Sequence, residues 1–271
     1  MSGPLPVTIT DSPVPRIAVT DAEQPELSCV LVTYGTGPIV LDAIGALART
    51  LDRADVAYEI VVVDNEHRWA RDRTRRLLRL ATSGVRLVVP GRNLGFAGGN
   101  NAGVELARGE VLALVNPDVA VTDGWYEALR AELTHATIAA PVFLDADGSV
   151  QETGHLIADD GSTWPLADPV APGELHRPTY VSAACWLIRR ADFERLGGFD
   201  TGYHPAYYED ADFALRAARD GNGTVVVGSA TVRHFRRGST ADGREVDLLT
   251  QRARFRRAWP DVVAAAPPPP T

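Results

Sequence analysis

The chain has 271 residues, of which 45% are hydrophobic and 23% are charged, and its net charge is −8 at pH 7. This length and apolar content are enough for a full globular core, and they exclude a disordered or fibrous chain. The acidic balance disfavours a general nucleic-acid-binding protein, because contacts to phosphate dominate such binding and need a basic surface.

The two cysteines, Cys29 and Cys185, lie in apolar surroundings and have no metal-binding spacing. A disulfide framework and a zinc module are therefore excluded, and a reducing compartment suits the chain. Residues 1–24 lack the pattern of a secretory signal, and no apolar run approaches the ~20 residues that cross a bilayer. We expect a cytoplasmic protein that rests, at most, on the inner face of the cell membrane.

We predict disorder for the two tails, residues 1–25 and 263–271. Between them, apolar runs of strand length alternate with segments whose apolar residues have helical spacing. The predicted strands of the first half are Leu27–Thr33, Tyr58–Asp64, Val85–Val89 and Val111–Val115. The predicted helices between them are Ile39–Leu51, Trp69–Leu80 and Ala97–Arg108. Strands and helices that alternate over short connections predict an α/β fold with one mostly parallel sheet, flanked by helices on both faces.

The second half has longer loops over residues 145–178 and regains regular structure over Tyr180–Arg189, Asp212–Arg219 and Thr224–Val232. In a parallel sheet the ligand lies beyond the carboxyl ends of the strands. The polar residues at those ends are Thr33, Tyr34, Asp64, Asn65, Arg92, Asn93, Asn116 and Asp118. We expect the functional site there.

Three groups of polar residues could carry chemistry. Asp118, held behind Asn116 and a proline at the end of a strand, can supply one oxygen ligand to a divalent cation, although the same triplet is a common turn. His234 follows a strand, where a lone histidine is more often structural, and Arg236 and Arg237 behind it could meet phosphate oxygens.

The third group is a run of acids at the start of a predicted helix, Glu209, Asp210 and Asp212. Helix capping accounts for one acid, and an ion pair from Asp212 to Arg216 accounts for another. The third is in excess, and like charges at close range raise one another's pKa. This arrangement suits a general base.

The glycine-rich stretch Arg92–Gly103 leads into a helix but does not match the dinucleotide fingerprint G-x-G-x-x-G. All 27 basic residues are arginines, so the chain cannot contain the lysine of a phosphate-binding P-loop. P-loop NTPases are therefore excluded, and classical dinucleotide binding is unsupported.

Taken in order, these motifs resemble those of the family 2 glycosyltransferases, in particular the bacterial rhamnosyl- and galactofuranosyltransferases. The segments that carry the resemblance are Val32–Tyr34, Val62–Asn65, Arg92–Gly103, Asn116–Asp118, Leu187–Arg190, Gly197–Asp200, Pro205–Phe213, His234 and Arg254–Trp259. The resemblance implies a GT-A fold over residues 26–262, with a nucleotide-sugar-binding half (26–122) and a smaller acceptor and catalytic half (123–262).

The resemblance also implies a role for each matching residue. Those on the nucleotide-sugar side are Thr33, Tyr34, Asp64, Asn93, Gly95, Asn100, Asn116 and Asp118, with Arg236 and Arg237 near the phosphates. Asp64 would accept the imide N–H of uracil or thymine, and Asp118 with His234 would hold Mg²⁺ or Mn²⁺. Asp210, beside Glu209, would deprotonate the acceptor hydroxyl in an inverting displacement.

Three positions depart from the family pattern. Asn116 replaces the first acid of the D-x-D motif, which leaves fewer anionic metal ligands. Gly35 stands where asparagine is usual, and His67 stands where a small hydroxyl residue is usual, which affects the contacts expected for ribose.

The expected activity is transfer of rhamnose or another hexose from a dTDP- or UDP-sugar to a hydroxyl of a cell-wall, polysaccharide or natural-product acceptor. One alternative is a degenerate nucleotide-sugar-binding or partner protein, which Asn116 and Gly35 favour. A sugar nucleotidyltransferase would need a basic, glycine-rich loop after the first strand, and residues 33–37 contain no basic residue.

The charge is unevenly distributed. Residues 233–257 contain eight arginines against Asp242, Glu245 and Asp247, a local charge of +5 that leaves −13 on the rest of the chain. An acidic body that holds a diphosphate needs a divalent cation or this arginine-rich arm. The helix predicted over Val246–Trp259 places Leu248, Leu249, Phe255 and Trp259 near one face. This face could pack onto the domain, or it could contact an anionic membrane and a lipid-linked acceptor.

Overall fold

The computed structural model describes residues 17–66, 73–236 and 247–270. Its strands are β1 (Ile17–Ala18), β2 (Leu27–Thr33), β3 (Tyr58–Asp64), β4 (Thr82–Ser83), β5 (Arg86–Val88), β6 (Val111–Val115), β7 (Val119–Val121), β8 (Ile138–Leu144), β9 (Val150–Glu152), β10 (Gly154–Ile157), β11 (Thr163–Leu166), β12 (Leu175–His176), β13 (Cys185–Arg189) and β14 (Thr224–His234). Its helices are α1 (Ile39–Arg53), α2 (Arg73–Ala81), α3 (Gly95–Leu106), α4 (Trp125–Glu132), α5 (Arg190–Arg195), α6 (Glu209–Arg219), α7 (Leu248–Ala258) and α8 (Pro260–Ala265).

One ten-stranded sheet forms the centre of the molecule, in the order β12-β14-β8-β13-β6-β2-β3-β5, with β7 paired to β14 and β9 to β8. Strands β6, β2, β3 and β5 are mutually parallel. Strand β13 runs antiparallel between β6 and β8, and β8 is again parallel to β14. The predicted α/β class is confirmed, and the continuous parallel part of the sheet is the half for which the sequence predicts nucleotide binding.

Helix α3 lies unusually close to this parallel half because glycines face the strands. A Cβ atom added to Gly103 would meet Cγ1 of Val30 at 2.4 Å and Cγ2 of Val63 at 3.1 Å. A Cβ atom added to Gly99 would meet Cγ1 of Val32 at 2.7 Å. The glycine-rich stretch therefore serves helix–sheet packing and brings the loop before α3 to the ends of β2 and β3.

We expect Gly103→Ala to lower the free energy of unfolding by about 1–3 kcal/mol, because the new methyl group overpacks the contact with Val30. Denaturant unfolding measures the change. Gly45→Ala in α1 is the matched control, since its Cβ would meet only the flexible end of Arg49 at 3.2 Å and Ile17 at 3.6 Å. An unchanged stability of Gly103→Ala would contradict the close packing of α3.

An aromatic cluster holds α6 against the same face of the sheet. Trp186 of β13 lies 5.8 Å from Phe213 of α6, and Phe213 lies 5.2 Å from Phe193 and 5.3 Å from Phe199, measured between ring centroids. All four side chains are at most 3% exposed. The cluster fixes the position of α6 and hence of the acids at its first turn.

Both predicted tails differ from the structure where they are described. Strand β1 pairs with β4, the N–H of Val19 donates to the carbonyl of Ser83 at 2.9 Å, and Val19 is buried. At the other end, Val263 of α8 is buried and the N–H of Asp159 donates to the carbonyl of Pro267 at 2.8 Å. Buried apolar side chains and backbone hydrogen bonds thus order these residues. Their terminal position and proline content had predicted disorder.

Candidate active site

The nucleotide-side residues converge where β2 and β3 end side by side. The hydroxyl of Thr33 donates to Oδ1 of Asp64 at 3.3 Å, and the N–H of Asn65 donates to the carbonyl of Thr33 at 2.8 Å. Thr33, Asp64 and Asn65 are all buried. Because these strands are parallel, residues that are distant in the sequence meet at one edge, as the sequence predicted.

Asp64 has a partner that sequence reasoning missed. Nε of Arg75 lies 3.0 Å from Oδ2 of Asp64, and the backbone N–H of Glu66 donates to Oδ1 at 3.2 Å. Burial raises the pKa of Asp64 above its ordinary value, although the bonds from Glu66 and Arg75 oppose the rise. The side chain of Asp64 has no exposed surface, so a direct bond to a nucleobase requires Thr33 or Arg75 to move aside. The arginine-rich segment around Arg75 was visible in the sequence, but its target was not.

The loop before α3 joins the two halves of the molecule. The amide of Asn65 donates to the carbonyl of Gly95 at 2.9 Å, and the side chain of Asn93 accepts from the N–H of Gly95 at 2.8 Å. Gly95 has a φ of 73°, and a Cβ atom there would lie 2.6 Å from the carbonyl oxygen of Pro205. Only glycine permits this approach, which sets the loop against the segment that precedes Glu209.

Two further nucleotide-side predictions have local contacts. The backbone N–H of Tyr34 donates to the hydroxyl of Thr36 at 3.3 Å, and its ring is half-buried. The amide of Asn100 donates to the carbonyl of Phe96 at 3.0 Å within α3 and is buried. Their predicted roles toward a nucleotide remain predictions.

Asp118, in the connection between β6 and β7, lies close to His234 at the end of β14. Nε2 of His234 lies 3.6 Å from Oδ1 of Asp118, and Asp118 is 2% exposed. Strand β7, which follows Asp118, pairs with the end of β14, and the N–H of Phe235 donates to the carbonyl of Asp118 at 3.0 Å. Asn116 is half-buried, and its backbone N–H donates to the carbonyl of Ala184 at 2.8 Å.

Gln151 of β9 orients the imidazole of His234. Its amide nitrogen donates to Oδ1 of Asp145 at 2.6 Å and to the carbonyl of His234 at 2.9 Å. Because both partners are acceptors, the atom that bonds them is the nitrogen, and the other atom of the amide is the oxygen. That oxygen lies 2.9 Å from Nδ1 of His234 and accepts its hydrogen. In the neutral ring the lone pair is therefore on Nε2, the atom that faces Asp118.

This donor set fits a divalent cation in part. A carboxylate and an oriented imidazole are metal ligands, and Gln151 supplies the outer support that such a histidine usually has. Within residues 17–66, 73–236 and 247–270, however, no group of three or more His, Cys, Asp or Glu side chains could hold a metal. Of the residues at this position, only the carboxylate of Asp118 and the imidazole of His234 are of the types that bind a divalent cation.

The acids of the first turn of α6 have unequal environments. Glu209 is 4% exposed, and its Oε2 has no hydrogen-bond partner among the described residues. Asp210 is half-buried, and its Oδ1 accepts the N–H of Ala211 at 2.8 Å. Asp212 bonds Arg216 at 2.9 Å and the indole N–H of Trp259 at 2.8 Å, so it is structural, as its predicted pairing indicated.

Glu209 and Asp210 differ in what acts on the pKa of each carboxyl. Burial, and then the charge of Asp210, raises the pKa of Glu209 well above its ordinary value. Burial also raises the pKa of Asp210, while the neighbouring His155 and the N–H of Ala211 oppose the rise. Glu209 is the more deeply buried of the two, so burial favours its neutral form more strongly than that of Asp210.

Strand β9 was not recognised in the sequence, where it lies in the loop-like stretch 145–178. Gln151 contacts His234, and the next residue, Glu152, accepts the N–H of Ser182 at 2.7 Å. Alternate residues of a strand point to opposite sides. The only signal in the sequence was the pair of polar residues Gln151 and Glu152, and the neighbouring residues did not indicate a strand.

The C-terminal helix α7 packs onto the domain. Phe255 and Trp259 are buried, whereas Leu248 and Leu249 are 52% and 68% exposed, so the predicted common face does not exist. The side chains of two of its arginines pair with acids of the domain, Arg252 with Asp160 at 2.8 Å and Arg254 with Asp200 at 2.7 Å. Arg236 is exposed, and Arg237 lies outside the described residues. In the part of the chain that is described, no helix is both long and apolar enough to cross a membrane.

Comparison with known families agrees with this architecture. Residues 28–197 match the family model described as glycosyl transferase family 2. The chain belongs to glycosyl transferase family 2. The match includes the ends of β2, β3 and β6, and it stops before α6.

Relatives of this family 2 glycosyltransferase include an N-acetylglucosaminyl-diphospho-decaprenol L-rhamnosyltransferase of Mycobacterium tuberculosis, 30% identical over 79% of this chain and 77% of the relative. A low-salt glycan biosynthesis hexosyltransferase of Haloferax volcanii is 29% identical over 60% of this chain and 54% of its own.

Solved structures share its fold. GalNAc-T7, crystallised with UDP, GalNAc and Mn²⁺, matches with a TM-score of 0.68 at 18% identity, over 89% of this chain. This chain spans half the length of that one. TarS of S. aureus matches with a TM-score of 0.54 at 16% identity, over 78% of this chain and 60% of its own. The resemblance to the GT-A glycosyltransferases is confirmed.

Proposed function

We propose that this glycosyltransferase transfers a hexose, with rhamnose as the first candidate, from a dTDP- or UDP-sugar to an acceptor hydroxyl with inversion. The observation that carries the proposal is the more accessible carboxyl of Asp210 beside the buried Glu209 at the start of α6, in a fold that also brings His234 to 3.6 Å from Asp118. A relative that is a rhamnosyltransferase supports the choice of sugar. A cell-wall, polysaccharide or natural-product acceptor, including a lipid-linked one, fits the same activity.

In this mechanism Asp210 takes the proton of the acceptor hydroxyl as its oxygen forms a bond to the anomeric carbon. The bond from that carbon to the diphosphate oxygen breaks in the same step, and the nucleoside diphosphate leaves with the electron pair. Burial raises the pKa of Glu209, and its neutral form would add no negative charge beside the incoming oxygen. Thr33, Tyr34, Asp64, Asn93, Gly95 and Asn100 would hold the nucleotide.

Asp118 and His234 would hold Mg²⁺ or Mn²⁺, with Asn116 beside them. The cation would stabilise the negative charge that develops on the leaving diphosphate. GalNAc-T7 was crystallised with Mn²⁺, which supports a divalent cation here. Arg236, which is exposed, and Arg237 would contact the phosphates. Activity in a chelator would show that these arginines can stabilise the diphosphate without a cation.

A panel of dTDP-, UDP- and GDP-sugars tests the function. Thermal unfolding with each compound, with Mg²⁺ or Mn²⁺, identifies the donor, because a ligand of the native state raises its stability. Release of nucleotide from that donor then measures turnover. The alternative, a degenerate binding protein, is favoured by Asn116 at the first position of the D-x-D motif, and it predicts a thermal shift without turnover.

We expect Gln151→Leu to weaken activation by the metal about 10–100-fold, because the imidazole of His234 loses the bond that orients Nε2. The measurement is the metal concentration at half-maximal nucleotide release. Gln24→Leu, near the N-terminal end of the described chain and far from β9 in sequence, is the control for the change of residue type. An unchanged metal dependence of Gln151→Leu would mean that His234 is not a ligand.

Peripheral contact with an anionic membrane remains a prediction. Leu248 and Leu249 are exposed at the start of α7, and apolar side chains beside arginines suit an anionic lipid surface. Co-sedimentation with anionic and with neutral vesicles tests the contact. Equal recovery of the protein with both vesicles and in their absence would exclude it.

A further inference from the structure

An exposed aromatic side chain that the proposed mechanism does not use lies directly before the acids of α6. Tyr207 is 43% exposed, whereas the next residue, Tyr208, is 8% exposed. Within the part of the chain that the structure describes, the hydroxyl of Tyr207 has no hydrogen bond and its ring has no aromatic contact. The ring of Tyr207 therefore contributes little to the packing of the domain.

The backbone that presents this ring is strained. Tyr207 has a φ of 77° and Tyr208 a φ of 75°, and both values lie in the left-handed region that residues other than glycine disfavour. Two consecutive aromatic residues remain in this region only where the surrounding structure fixes them, and such outliers cluster at functional sites. The exposure of Tyr207 is thus imposed by the fold.

Contacts on both sides of Tyr207 supply this restraint. Before it, the N–H of Phe96 donates to the carbonyl of Pro205 at 2.7 Å. After it, the hydroxyl of Tyr208 donates to the carbonyl of Gly161 at 2.9 Å. The chain is therefore held to the loop before α3 and to the loop after β10, with the ring of Tyr207 between the two attachments.

This segment lies between the predicted nucleotide-side loop and the predicted base. Nε2 of His204 lies 3.3 Å from the carbonyl oxygen of Asn93. Tyr207 is three residues before Asp210, so their Cα atoms are at most roughly 11 Å apart. A molecule whose hydroxyl reaches Asp210 while it faces the donor sugar comes within reach of the Tyr207 ring.

We propose that Tyr207 binds the acceptor by stacking against a sugar ring, so that the acceptor is a glycan or another glycoside. The C–H groups on one face of a pyranose form an apolar surface that packs on a flat aromatic ring, and the phenol hydroxyl can bond a sugar hydroxyl. A ring that the backbone already holds in place loses little freedom on binding. The assignment to the acceptor rests on the proposed function, in which Asp210 receives the acceptor hydroxyl.

NMR of protein labelled with carbon-13 in the tyrosine rings tests this contact without an activity assay. The resonance of Tyr207 is the one that disappears in Tyr207→Phe. The probes are the methyl glycosides of glucose, galactose, mannose, rhamnose and N-acetylglucosamine, each titrated with and without UDP and Mg²⁺. We expect at least one glycoside to shift the Tyr207 resonance in a saturable way, and sorbitol, which has the hydroxyls but no ring, to leave it in place. The resonances of the buried Tyr58 and Tyr126 are internal controls and should not move.

The dissociation constant of the bound glycoside, measured on its own proton signals, is then compared between variants. Tyr207→Leu should raise it about 3–10-fold, the range of one aromatic contact. Tyr207→Phe keeps the ring and is the matched control, so its dissociation constant should stay closer to that of the wild type. If Tyr207→Leu does not fold, the titration of the wild type alone decides.

Three results overturn the proposal: no glycoside shifts the Tyr207 resonance, Tyr207→Leu binds the glycoside as the wild type does, or only a nucleotide sugar shifts the resonance. The last result would assign the ring to the donor. If a glycoside shifts the resonance but no donor is turned over, Tyr207 binds a sugar as proposed, and sugar transfer is the proposal that fails. Where a donor is turned over, Tyr207→Leu should raise the acceptor concentration at half-maximal rate and leave hydrolysis of the donor without acceptor unchanged.

Discussion

Asp210→Asn is expected to lower kcat for sugar transfer by about 10²–10⁴-fold, because an amide cannot accept the proton of the acceptor hydroxyl. The nucleotide-sugar dissociation constant should stay close to that of the wild type, since the predicted nucleotide contacts lie at the ends of β2 and β3. Nucleotide release and isothermal titration calorimetry measure the two quantities separately.

Asp220→Asn is the control for this substitution. It makes the same chemical change at the residue after α6, ten residues further on and about 15 Å away along the helix axis. Near-normal turnover in Asp210→Asn would rule out Asp210 as the base. In the wild type the rate should fall as acid protonates Asp210, and because its pKa is raised, this fall should occur at a higher pH than for an exposed aspartate.

Asp118→Asn should lower turnover by about 10²–10³-fold, because the cation that would stabilise the charge on the leaving diphosphate loses its anionic ligand. The amide keeps the shape of a side chain that is 2% exposed, so the fold should survive. It loses the anionic ligand, and the stimulation by Mg²⁺ or Mn²⁺ should weaken with it. Rates are measured across a metal titration that starts from the protein in a chelator. This titration separates the loss of turnover at saturating metal from the weaker stimulation by the metal.

Asp123→Asn, five residues further along, is the matched control because Asp123 is exposed and pairs with Arg53 at the surface. A normal rate and an unaltered metal titration in Asp118→Asn would exclude Asp118 as a metal ligand. Full activity of the wild type in a chelator would instead assign charge stabilisation to arginines such as Arg236.

The strands of the nucleotide-side half could be predicted closely. The observed bounds of β2, β3 and β6 equal the predicted ones, because a strand buried on both faces reads as an unbroken apolar run between polar ends. Helix α1 extends two residues beyond its prediction, and α6 begins at Glu209 rather than Asp212. Ends of helices are set by capping contacts, which the apolar spacing does not encode.

The acceptor-side half was harder to predict because its pairings are non-local. Cys185 of β13 pairs with Val115 of β6, seventy residues earlier in the chain, and β9 is a three-residue strand that pairs with the edge of β8. Short strands have too few residues to show a period. Consequently the contact of Gln151 with His234 was not foreseen.

The sequence by itself determined the family, the order of the elements and the residue types available for chemistry, because each of these is carried by short contiguous motifs. Only the tertiary structure decided that Glu209 is buried more deeply than Asp210, that Nε2 of His234 faces Asp118, and that Arg75 pairs with Asp64. Protonation, tautomer and ion pairing depend on burial and on neighbours from distant segments, and these neighbours exist only once the chain has folded.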